Sequence, residues 1–402
     1  MAAPSIPNLA TLRGRGGGLR SRGRGRGSGS AEPQSDEDRA RVRDQVIQQT
    51  DNDAASSRAS AVSLGYLQDP YAEIFVPSPP PRRYPLINRG TYVRTFAIDR
   101  LVDRFLTTSP EGPKQIISLG AGSDTRYFRF SHFPNLLYHE IDFAVNTTTK
   151  ISKIDTTPRL TATLKNRIST LDAHTTTPSK ETLHSESLNI HALDLRSLAS
   201  ATPPPSPPNL GRNIPTLLLS ECCLTYLPLP TANAILSHIL TSWLDPSTPA
   251  AAVLYEPIKP QTPFGRTMTS NLASRRIDMP SLHALPTLQR HRDRLSALGM
   301  VDVGARTVLD IYAGSREGGG RDEAWIGPEE RERVERAEWL DEVEEWQLLA
   351  GHYCVVWGWR DGDGDGEEGV FGRAWGGIKG QWREGERRDD ELHAAGQRDV
   401  IG

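Results

Sequence analysis

Short apolar runs recur along the middle of this chain, and no other feature of the sequence constrains the fold as strongly. Five of them have the length and composition of buried strands: "QIISL" (115–119), "LLYHEI" (136–141), "LNIHAL" (188–193), "PTLLLS" (215–220) and "AAVLYE" (251–256). Two later segments have the same character: 301–312 and 352–359. A continuous apolar run bounded by polar residues is typical of a strand that is buried on both faces of a sheet.

Helical patterns lie between these runs. Apolar residues recur at intervals of three and four along three segments: 93–105, 232–243 and 339–350. Strands that alternate with helices form parallel units whose helices cover both faces of the sheet. The sequence therefore predicts an α/β fold with a mostly parallel sheet.

The two ends of the chain differ from its middle in composition. Residues 1–30 contain six arginines and no acidic residue, whereas residues 361–402 contain 11 acidic residues against six lysines and arginines. Segments of this kind bury too little apolar surface to offset the entropy of ordering. We therefore predict a folded domain over 41–360, an Arg/Gly-rich disordered tail over 1–40 and a Gly-rich acidic disordered tail after 360.

Bulk properties exclude several classes of protein. The formal net charge of -3 gives no global attraction to nucleic acid. RNA contact by the arginine-rich arm remains an alternative, which the lack of an aromatic residue for base stacking disfavours. The three cysteines form no CxxC pair, so we expect neither a disulfide framework nor a metal site. Neither a membrane span nor a secretory signal is recognisable, which predicts a soluble protein of the cytoplasm or the nucleus.

Glycines and acidic residues follow the predicted strands. In a doubly wound sheet, ligands lie beyond the carboxyl ends of the strands. Gly120 and Gly122 follow the first predicted strand, and such a turn lets a ligand approach the backbone closely. The other four strands end in an acidic residue: Asp142, Asp194, Glu221 and Glu256. An acid at this position is also a common helix N-cap, so each one taken alone leaves two interpretations open.

The turn after the first strand does not match a dinucleotide site. The G-x-G-x-x-G fingerprint would place a third glycine where this chain has Thr125. S-adenosylmethionine is a better match for an edge lined with carboxylates, because it carries a sulfonium, an ammonium, a ribose diol and an adenine amine but no phosphate. Asp142 lies 20 residues after Gly122, the spacing at which an acid meets a ribose. Asp194 would then accept from the adenine amine.

Six segments, in this order, closely resemble those of the leucine carboxyl methyltransferases: "NRGTYVRT" (88–95), "SLGAGSDTRYFR" (118–129), "YHEIDF" (138–143), "LDLR" (193–196), "LLSECCLTYL" (218–227) and "HYCVVWGW" (352–359). The resemblance implies a Rossmann-like class I S-adenosylmethionine-dependent methyltransferase. A helical lid is expected over 41–100 and 260–300. The implied reaction is methylation of the C-terminal leucine carboxylate of the protein phosphatase 2A catalytic subunit, by a monomeric enzyme.

The resemblance also implies a set of cofactor contacts. Carried onto this chain, they are Arg58, Arg94, Gly120, Gly122, Asp142, Asp194, Leu195 and Glu221. Arg58 departs from the family, which tends to have a lysine there, and the two residue types are not interchangeable at a shaped site. A solvated arginine is the alternative at that position.

The acidity of the implied substrate determines the predicted mechanism. A chain-terminal carboxyl group has a pKa of roughly 3.5, so it is already an anionic nucleophile at neutral pH and needs no general base. Arg94 is predicted to bridge the cofactor's carboxylate and the substrate, because a guanidinium matches carboxylate geometry. Tyr226 is predicted to donate to the substrate, with a core tyrosine as the alternative. Glu221 is assigned to the positive field of the cofactor, since it would repel an anionic substrate.

Three other functions are compatible with parts of this pattern. Relatives that methylate a carboxyl group on a hypermodified tRNA base carry propeller repeats of roughly 50 residues, and this chain shows no internal repeat. A non-catalytic adaptor that binds a phosphatase or RNA is disfavoured by the intact set of Arg94, Gly120, Asp142 and Glu221. A nicotinamide oxidoreductase is disfavoured by Thr125.

Overall fold

A computed structural model describes residues 35–167, 180–314, 324–362, 369–378 and 381–382 of the chain. The strands in these residues are β1 (Lys114–Leu119), β2 (Leu136–Asp142), β3 (Leu188–Ala192), β4 (Thr216–Glu221), β5 (Ala250–Pro257), β6 (Asp302–Thr307), β7 (Tyr353–Arg360) and β8 (Gln381–Trp382). The helices are α1 (Asp36–Ser63), α2 (Pro85–Thr107), α3 (Arg126–Phe130), α4 (Ala144–Thr156), α5 (Pro158–Thr161), α6 (Leu229–His238), α7 (Pro263–Ser274), α8 (Pro280–Ala284), α9 (Leu288–Ala297), α10 (Val308–Ala313), α11 (Pro328–Ala337), α12 (Val343–Ala350) and α13 (Val370–Trp375).

The strands form one sheet in the order β3-β2-β1-β4-β5-β7-β6-β8. The first five in chain order are parallel, and β7 runs antiparallel between β5 and β6. The predicted Rossmann-like α/β fold with a mostly parallel sheet is therefore confirmed. The chain leaves β1 towards β2 on one side and later returns to β4 on the other. Ligands bind beyond the strand ends at such a switch point.

Two hydrophobic cores cover the two faces of the sheet. Ile116 and Leu217 belong to the core that contains α2, whereas their neighbours Ile117 and Leu218 belong to the core that contains α6. Successive residues of a strand point to opposite faces, which explains the unbroken apolar runs. Helix α2 begins with Pro85 at its first position, where a missing N–H is tolerated.

Two predicted elements differ from the structure. The segment 301–312 is only half strand, because β6 ends at Thr307 and α10 begins at the next residue. The Thr307 hydroxyl accepts from the backbone N–H of Asp310, whose carboxylate accepts from the backbone N–H of Thr307. This capping box starts a helix within an apolar run. The predicted helix over 339–350 begins only at Val343.

The packed region extends past residue 360, where we predicted the domain to end. Helix α13 contains Phe371, which stacks on Phe105 of α2 with ring centroids 4.7 Å apart. Trp375 is completely buried and donates its indole N–H to the Leu101 carbonyl at 3.0 Å. The expectation of disorder is therefore wrong for 369–378. The sequence did not predict this short helix because its few apolar residues lie among many charged ones.

Part of the predicted tails lies outside the described residues, namely 1–34, 363–368, 379–380 and 383–402. Two segments of the predicted domain, 168–179 and 315–323, also lie outside them. At the other boundary, α1 begins at Asp36, a few residues before the predicted start at 41. Within the described part of the chain, no helix has the length and apolar character needed to span a bilayer.

Candidate active site

A cleft of about 480 Å³ lies at the carboxyl ends of β1 to β4. Every site residue predicted from the sequence lines it: Arg58, Arg94, Gly120, Gly122, Asp142, Asp194, Leu195, Glu221 and Tyr226. Helices α1, α2, α7 and α12 supply further lining residues. The structure thus brings the predicted set into one cavity, and contact of each member with a ligand stays a prediction.

The turn after β1 requires glycine at two positions. Gly120 has a φ of +63° and Gly122 a φ of +46°, a left-handed conformation that other residues rarely adopt. A Cβ atom on Gly120 would lie 2.5 Å from the Cys223 sulfur, and one on Gly122 would collide with the Asp51 carboxylate. A larger residue at either position would displace the groups that pack on this turn.

The carboxylate of Asp142, at the end of β2, is held by three donors. The N–H of Gly122 donates to Oδ2 at 2.7 Å, while the N–H of Phe143 and the side-chain amide of Asn146 donate to Oδ1 at 2.7 and 2.9 Å. Burial raises the pKa of Asp142, and these three bonds only partly offset the shift. A carboxylate has about four acceptor positions. One therefore remains for a ligand hydroxyl.

Asp194, at the end of β3, is held in a different way. Its carboxylate caps the turn Leu195–Ala199 by accepting from the N–H of Arg196 at 2.9 Å, so the N-cap interpretation applies to this acid. The Arg196 guanidinium donates to Asp194 at 2.6 Å and to Asp44 of α1 at 2.7 Å. An adenine amine would have to share this carboxylate with Arg196 or replace it. Leu195 itself is buried and lines the cleft.

Glu221 and Arg94 form an ion pair in the cleft. Arg94 donates from Nε to Glu221 Oε2 at 2.5 Å, and its guanidinium lies 4.8 Å from the centre of the Tyr255 ring. Arg126 donates from Nη1 to the other oxygen, Oε1, at 2.6 Å. Burial raises the pKa of Glu221, but the guanidiniums of Arg126 and Arg94 outweigh burial and hold that pKa below its usual value. Glu221 is therefore ionised at neutral pH and is a poor proton acceptor.

Arg58 belongs to a ring of alternating charges beside this pair. The charged ring consists, in order, of Arg126, Asp99, Arg129, Asp69, Arg58 and Asp124, each within 4.0 Å of the next, with Asp124 returning to Arg126. The ring includes three arginines and three carboxylates, so its charges balance. Arg58 is therefore not the solvated arginine that the sequence left open, since its side chain is 13% exposed and paired.

Thr125, the residue in place of a third glycine, is also part of this arrangement. It is completely buried and donates its hydroxyl to Asp69 of the charged ring at 2.5 Å. The backbone N–H of Arg126 donates to the Asp124 carboxylate at 2.9 Å. The end of the glycine turn is thus fixed by side-chain hydrogen bonds to carboxylates.

Helix α1 forms one wall of the cleft and contacts the glycine turn. The Asp51 carboxylate accepts from the N–H and the hydroxyl of Ser123 at 2.8 and 2.7 Å. Asp53 accepts from Arg83 at 3.1 Å and from Arg275, at the end of α7, at 2.5 Å. These contacts join the two segments that were predicted to form a lid.

Tyr226 lies in a short turn after β4, between the polar end of the cleft and an apolar wall. That wall is a cluster of buried side chains on and after α7: Phe264, Met268, Ile277, Met279 and Leu282. Val46 of α1 and Leu349 of α12 pack against the same cluster. Burial raises the pKa of Tyr226, so its hydroxyl keeps its proton and can donate.

Other candidate groups carry no chemistry in this cleft. Glu256 is 1% exposed, pairs with Arg294 at 3.3 Å, and is not among the described residues that line the cleft. Burial raises the pKa of the Cys222 thiol to about 12, so it is not a thiolate nucleophile at neutral pH. Over the described ranges, no group of three His, Cys, Asp or Glu side chains could hold a metal ion.

Sequence reasoning missed the residues that orient the predicted ones. The sequence around Arg126 did offer one indication. In "DTRYFR" an arginine stands between a cap position and two aromatic residues, so if the helix is buried, the charge of this arginine is buried with it and needs a partner. Asn146 follows Asp142 by four residues, within the first turn of α4. Asp51 and Asp44 lie on a helix that is polar along its length, so nothing in the sequence distinguishes them from solvated residues.

This chain is similar to proteins of one family over most of its length. A family model described as leucine carboxyl methyltransferase matches residues 46–240. Leucine carboxyl methyltransferase 1 of Aspergillus fumigatus and that of Emericella nidulans are each 44% identical to this chain, over 95% of this chain and 99% of either relative. The protein of the same name from Schizosaccharomyces pombe is 37% identical, over 77% of this chain and 93% of the relative. The chain therefore belongs to the leucine carboxyl methyltransferase family.

Proposed function

We propose that this protein transfers the methyl group of S-adenosylmethionine to the C-terminal leucine carboxylate of the protein phosphatase 2A catalytic subunit. Membership of the leucine carboxyl methyltransferase family supports methyl transfer to a leucine carboxylate. The carboxylates at the strand ends of the cleft support binding of the methyl donor. The guanidinium in the cleft supports binding of an anionic methyl acceptor.

The described residues fit S-adenosylmethionine. Asp142 retains an acceptor position for a ribose hydroxyl. Gly120 and Gly122 line the part of the cleft proposed for the methionine end, and Leu195 and Asp194 line the part proposed for the adenine. When bound, the cofactor supplies an electrophilic methyl group on a positively charged sulfur.

Arg94 is positioned to hold the acceptor carboxylate. In the part of the chain that the structure describes, its Nε is the only Arg94 atom with a hydrogen-bond acceptor. Its two terminal amino groups are therefore available to a carboxylate, for which a guanidinium fork is well matched. The acceptor is already an anion at neutral pH, so Arg94 orients it and Tyr226 donates to it without removing a proton.

Glu221 provides the matching negative charge. It stays ionised because Arg126 and Arg94 lower its pKa despite burial. The Glu221–Arg94 pair, like the charged ring beside it, has no net charge. The positive sulfonium of the cofactor and the negative carboxylate of the substrate would also compensate each other, and holding the two reactants in line is a positioning effect of up to about 7–11 kcal/mol.

The observation that carries the proposal is the contact between Arg94 and Glu221 at the switch point of the sheet. It places a cation for a carboxylate next to an anion for a sulfonium, with Arg94 Nε 2.5 Å from Glu221 Oε2. The experiment that tests the proposal is methyl transfer from labelled S-adenosylmethionine to the purified phosphatase catalytic subunit. We expect labelling of the intact subunit and none of a subunit that lacks its last leucine.

Three outcomes would contradict the proposal. Equal labelling of the truncated subunit would show that the leucine carboxylate is not the acceptor. Binding of the subunit without any transfer would favour a non-catalytic adaptor, and transfer to tRNA instead of protein would favour the hypermodified base as the substrate.

A further inference from the structure

We propose that Arg126 is a positioning residue for cofactor binding, which holds the carboxylates of Glu221 and Asp124 beneath the cleft. Arg126 is not among the described residues that line the cleft, so it acts through these two carboxylates. The inference rests on the proposed use of S-adenosylmethionine. It goes beyond that proposal because it concerns a side chain that touches neither substrate nor cofactor.

One nitrogen of Arg126 bridges the two carboxylates. Nη1 donates to Asp124 at 2.6 Å and to Glu221 at 2.6 Å, while Nε donates to Asp99 at 2.7 Å. Asp124 lies in the turn after β1, and Glu221 ends β4, so this nitrogen ties together the two strands at the switch point. The side chain is completely buried. Its guanidinium therefore has no water to replace these contacts.

The bridge also removes a conflict between like charges. Asp124 and Glu221 are partly buried carboxylates that repel each other across the same nitrogen, and loss of that cation would raise the pKa of both. Because Arg126 is fully enclosed, it is a permanent partner. Arg94 is the exchangeable partner, since its side chain is 27% exposed and lines the cleft. This division leaves Arg94 free to turn towards a substrate while Glu221 stays ionised and oriented.

Arg129 is a matched control for Arg126. It lies on the same short helix, three residues further on, and shares Asp99 as a partner. Its other partner is Asp69, at 3.7 Å, and it forms no ion pair with Glu221 or Asp124 among the described residues. Both arginines stabilise the charged ring, but only Arg126 reaches the carboxylate in the cleft.

The test compares the Arg126→Lys and Arg129→Lys variants of the full chain. Lysine keeps the charge but can serve fewer of the contacts that a guanidinium makes. We expect Arg126→Lys to weaken binding of S-adenosylmethionine, the ligand that carries the sulfonium, about tenfold or more in a calorimetric titration, and Arg129→Lys to stay within about twofold of the wild type. Thermal melting of both variants shows whether they are folded. Wild-type affinity in Arg126→Lys, or equal losses in the two variants, would overturn the inference.

A third variant tests the inference even if Arg126→Lys fails to fold. Arg94→Gln removes the other cation that binds Glu221 and leaves Arg126 in place. If Arg126 keeps Glu221 ionised, the ratio of wild-type to variant affinity for S-adenosylmethionine stays constant between about pH 7 and pH 5. A ratio that grows as the pH falls would show that Arg94 is the group that keeps Glu221 ionised, and would overturn the inference.

The other charged groups that face Glu221 do not confuse this comparison. Arg58 of α1 also faces Glu221, Asp124 is held ionised by its arginines, and burial raises the pKa of the Cys222 thiol to about 12. Asp142 does titrate at a raised pKa, but equally in both proteins, so it cancels in the ratio. S-adenosylmethionine binding requires no protein substrate. Normal binding without methylation of the phosphatase would contradict only the proposed substrate, whereas no binding by the wild type would overturn both.

Discussion

Asp142 and Asp194 end neighbouring strands and line the same cleft, yet they are held in opposite ways. Asp142 is 8% exposed and accepts from two backbone N–H groups and from Asn146. The Asp194 side chain is 40% exposed and is bound by Arg196, which also binds Asp44 of α1. One acid is fixed by backbone that cannot rotate away, whereas the other is held by a long side chain that can.

This difference divides the cleft into an inner end and an outer rim. The inner end comprises the glycine turn, Asp142, and Glu221 with its arginines. Its side chains are already held in place, so binding of a ligand there costs little free energy for ordering them. The outer rim comprises Asp194, Arg196 and Asp44, whose exposed ion pairs contribute roughly 0–1 kcal/mol each. We infer that the inner end carries most of the affinity and the chemistry, and that the rim contributes less.

The largest expected effect comes from Arg94 at the inner end. In Arg94→Ala, the acceptor carboxylate loses its guanidinium, and we expect kcat for phosphatase methylation to fall by about 10²–10³, the size seen for other charge-stabilising groups. The fold should survive, because Glu221 keeps Arg126 as a partner. Steady-state kinetics and thermal melting check both parts. Turnover at the wild-type rate would remove Arg94 from the mechanism.

The next effect comes from Asp142. Asp142→Asn keeps the shape but replaces one acceptor oxygen by an amide that faces an N–H donor. We expect the affinity for S-adenosylhomocysteine to fall by about 10- to 100-fold, which corresponds to ~1.4–2.8 kcal/mol. Calorimetric titration measures it. If Asp194→Asn weakened binding more than Asp142→Asn, the division into inner end and rim would be incorrect.

A smaller effect follows from the raised pKa of Asp142. Burial raises this pKa, so in the free protein the carboxylate takes up a proton at a higher pH than the ordinary value of about 3.9. The protonated form offers fewer acceptor positions, so the affinity for S-adenosylhomocysteine should be full at neutral pH and fall as the pH is lowered into the acidic range. Titrations at several pH values check this. The fall should disappear in Asp142→Asn, and its persistence there would assign it to another group.

The smallest effect is expected at the rim. Arg196→Ala removes the ion pairs with Asp194 and Asp44, and frees Asp194 to accept from an adenine amine. Because exposed pairs of this kind are weak, we expect the affinity for S-adenosylhomocysteine to change by less than about threefold in either direction. A loss as large as that in Asp142→Asn would mean that Arg196 itself contacts the ligand.

The sequence predicted the parts of this molecule that depend on local pattern. β1, β2 and β4 follow from apolar runs that must be buried, and the residues that end them face the cleft because parallel strands end at one edge. The presence of Thr125 in the sequence showed that the turn differs from a dinucleotide fingerprint. The sequence did not show that the Thr125 hydroxyl would bind Asp69. Such partners could not be predicted, because a carboxylate's choice among many arginines depends on packing between distant elements.

The errors in the prediction have the same origin. Trp375 lies in a stretch whose composition is typical of disorder, and only its place against α2 gives it a buried environment. Arg196 binds Asp194, two residues before it, and also Asp44 of α1, which is far away in sequence. Local sequence specifies which residues can serve in a site, whereas long-range contacts decide which of them are already engaged.

A crystal structure of the chain with S-adenosylhomocysteine tests the central claim most directly. The account predicts that a ribose hydroxyl lies within about 3 Å of the Asp142 carboxylate. It also predicts that the sulfur lies beside the Arg94 and Glu221 pair, while Asp194 has exchanged at least part of its contact with Arg196. A ligand whose ribose lies away from Asp142, for example against the apolar wall near Tyr226, would contradict the account.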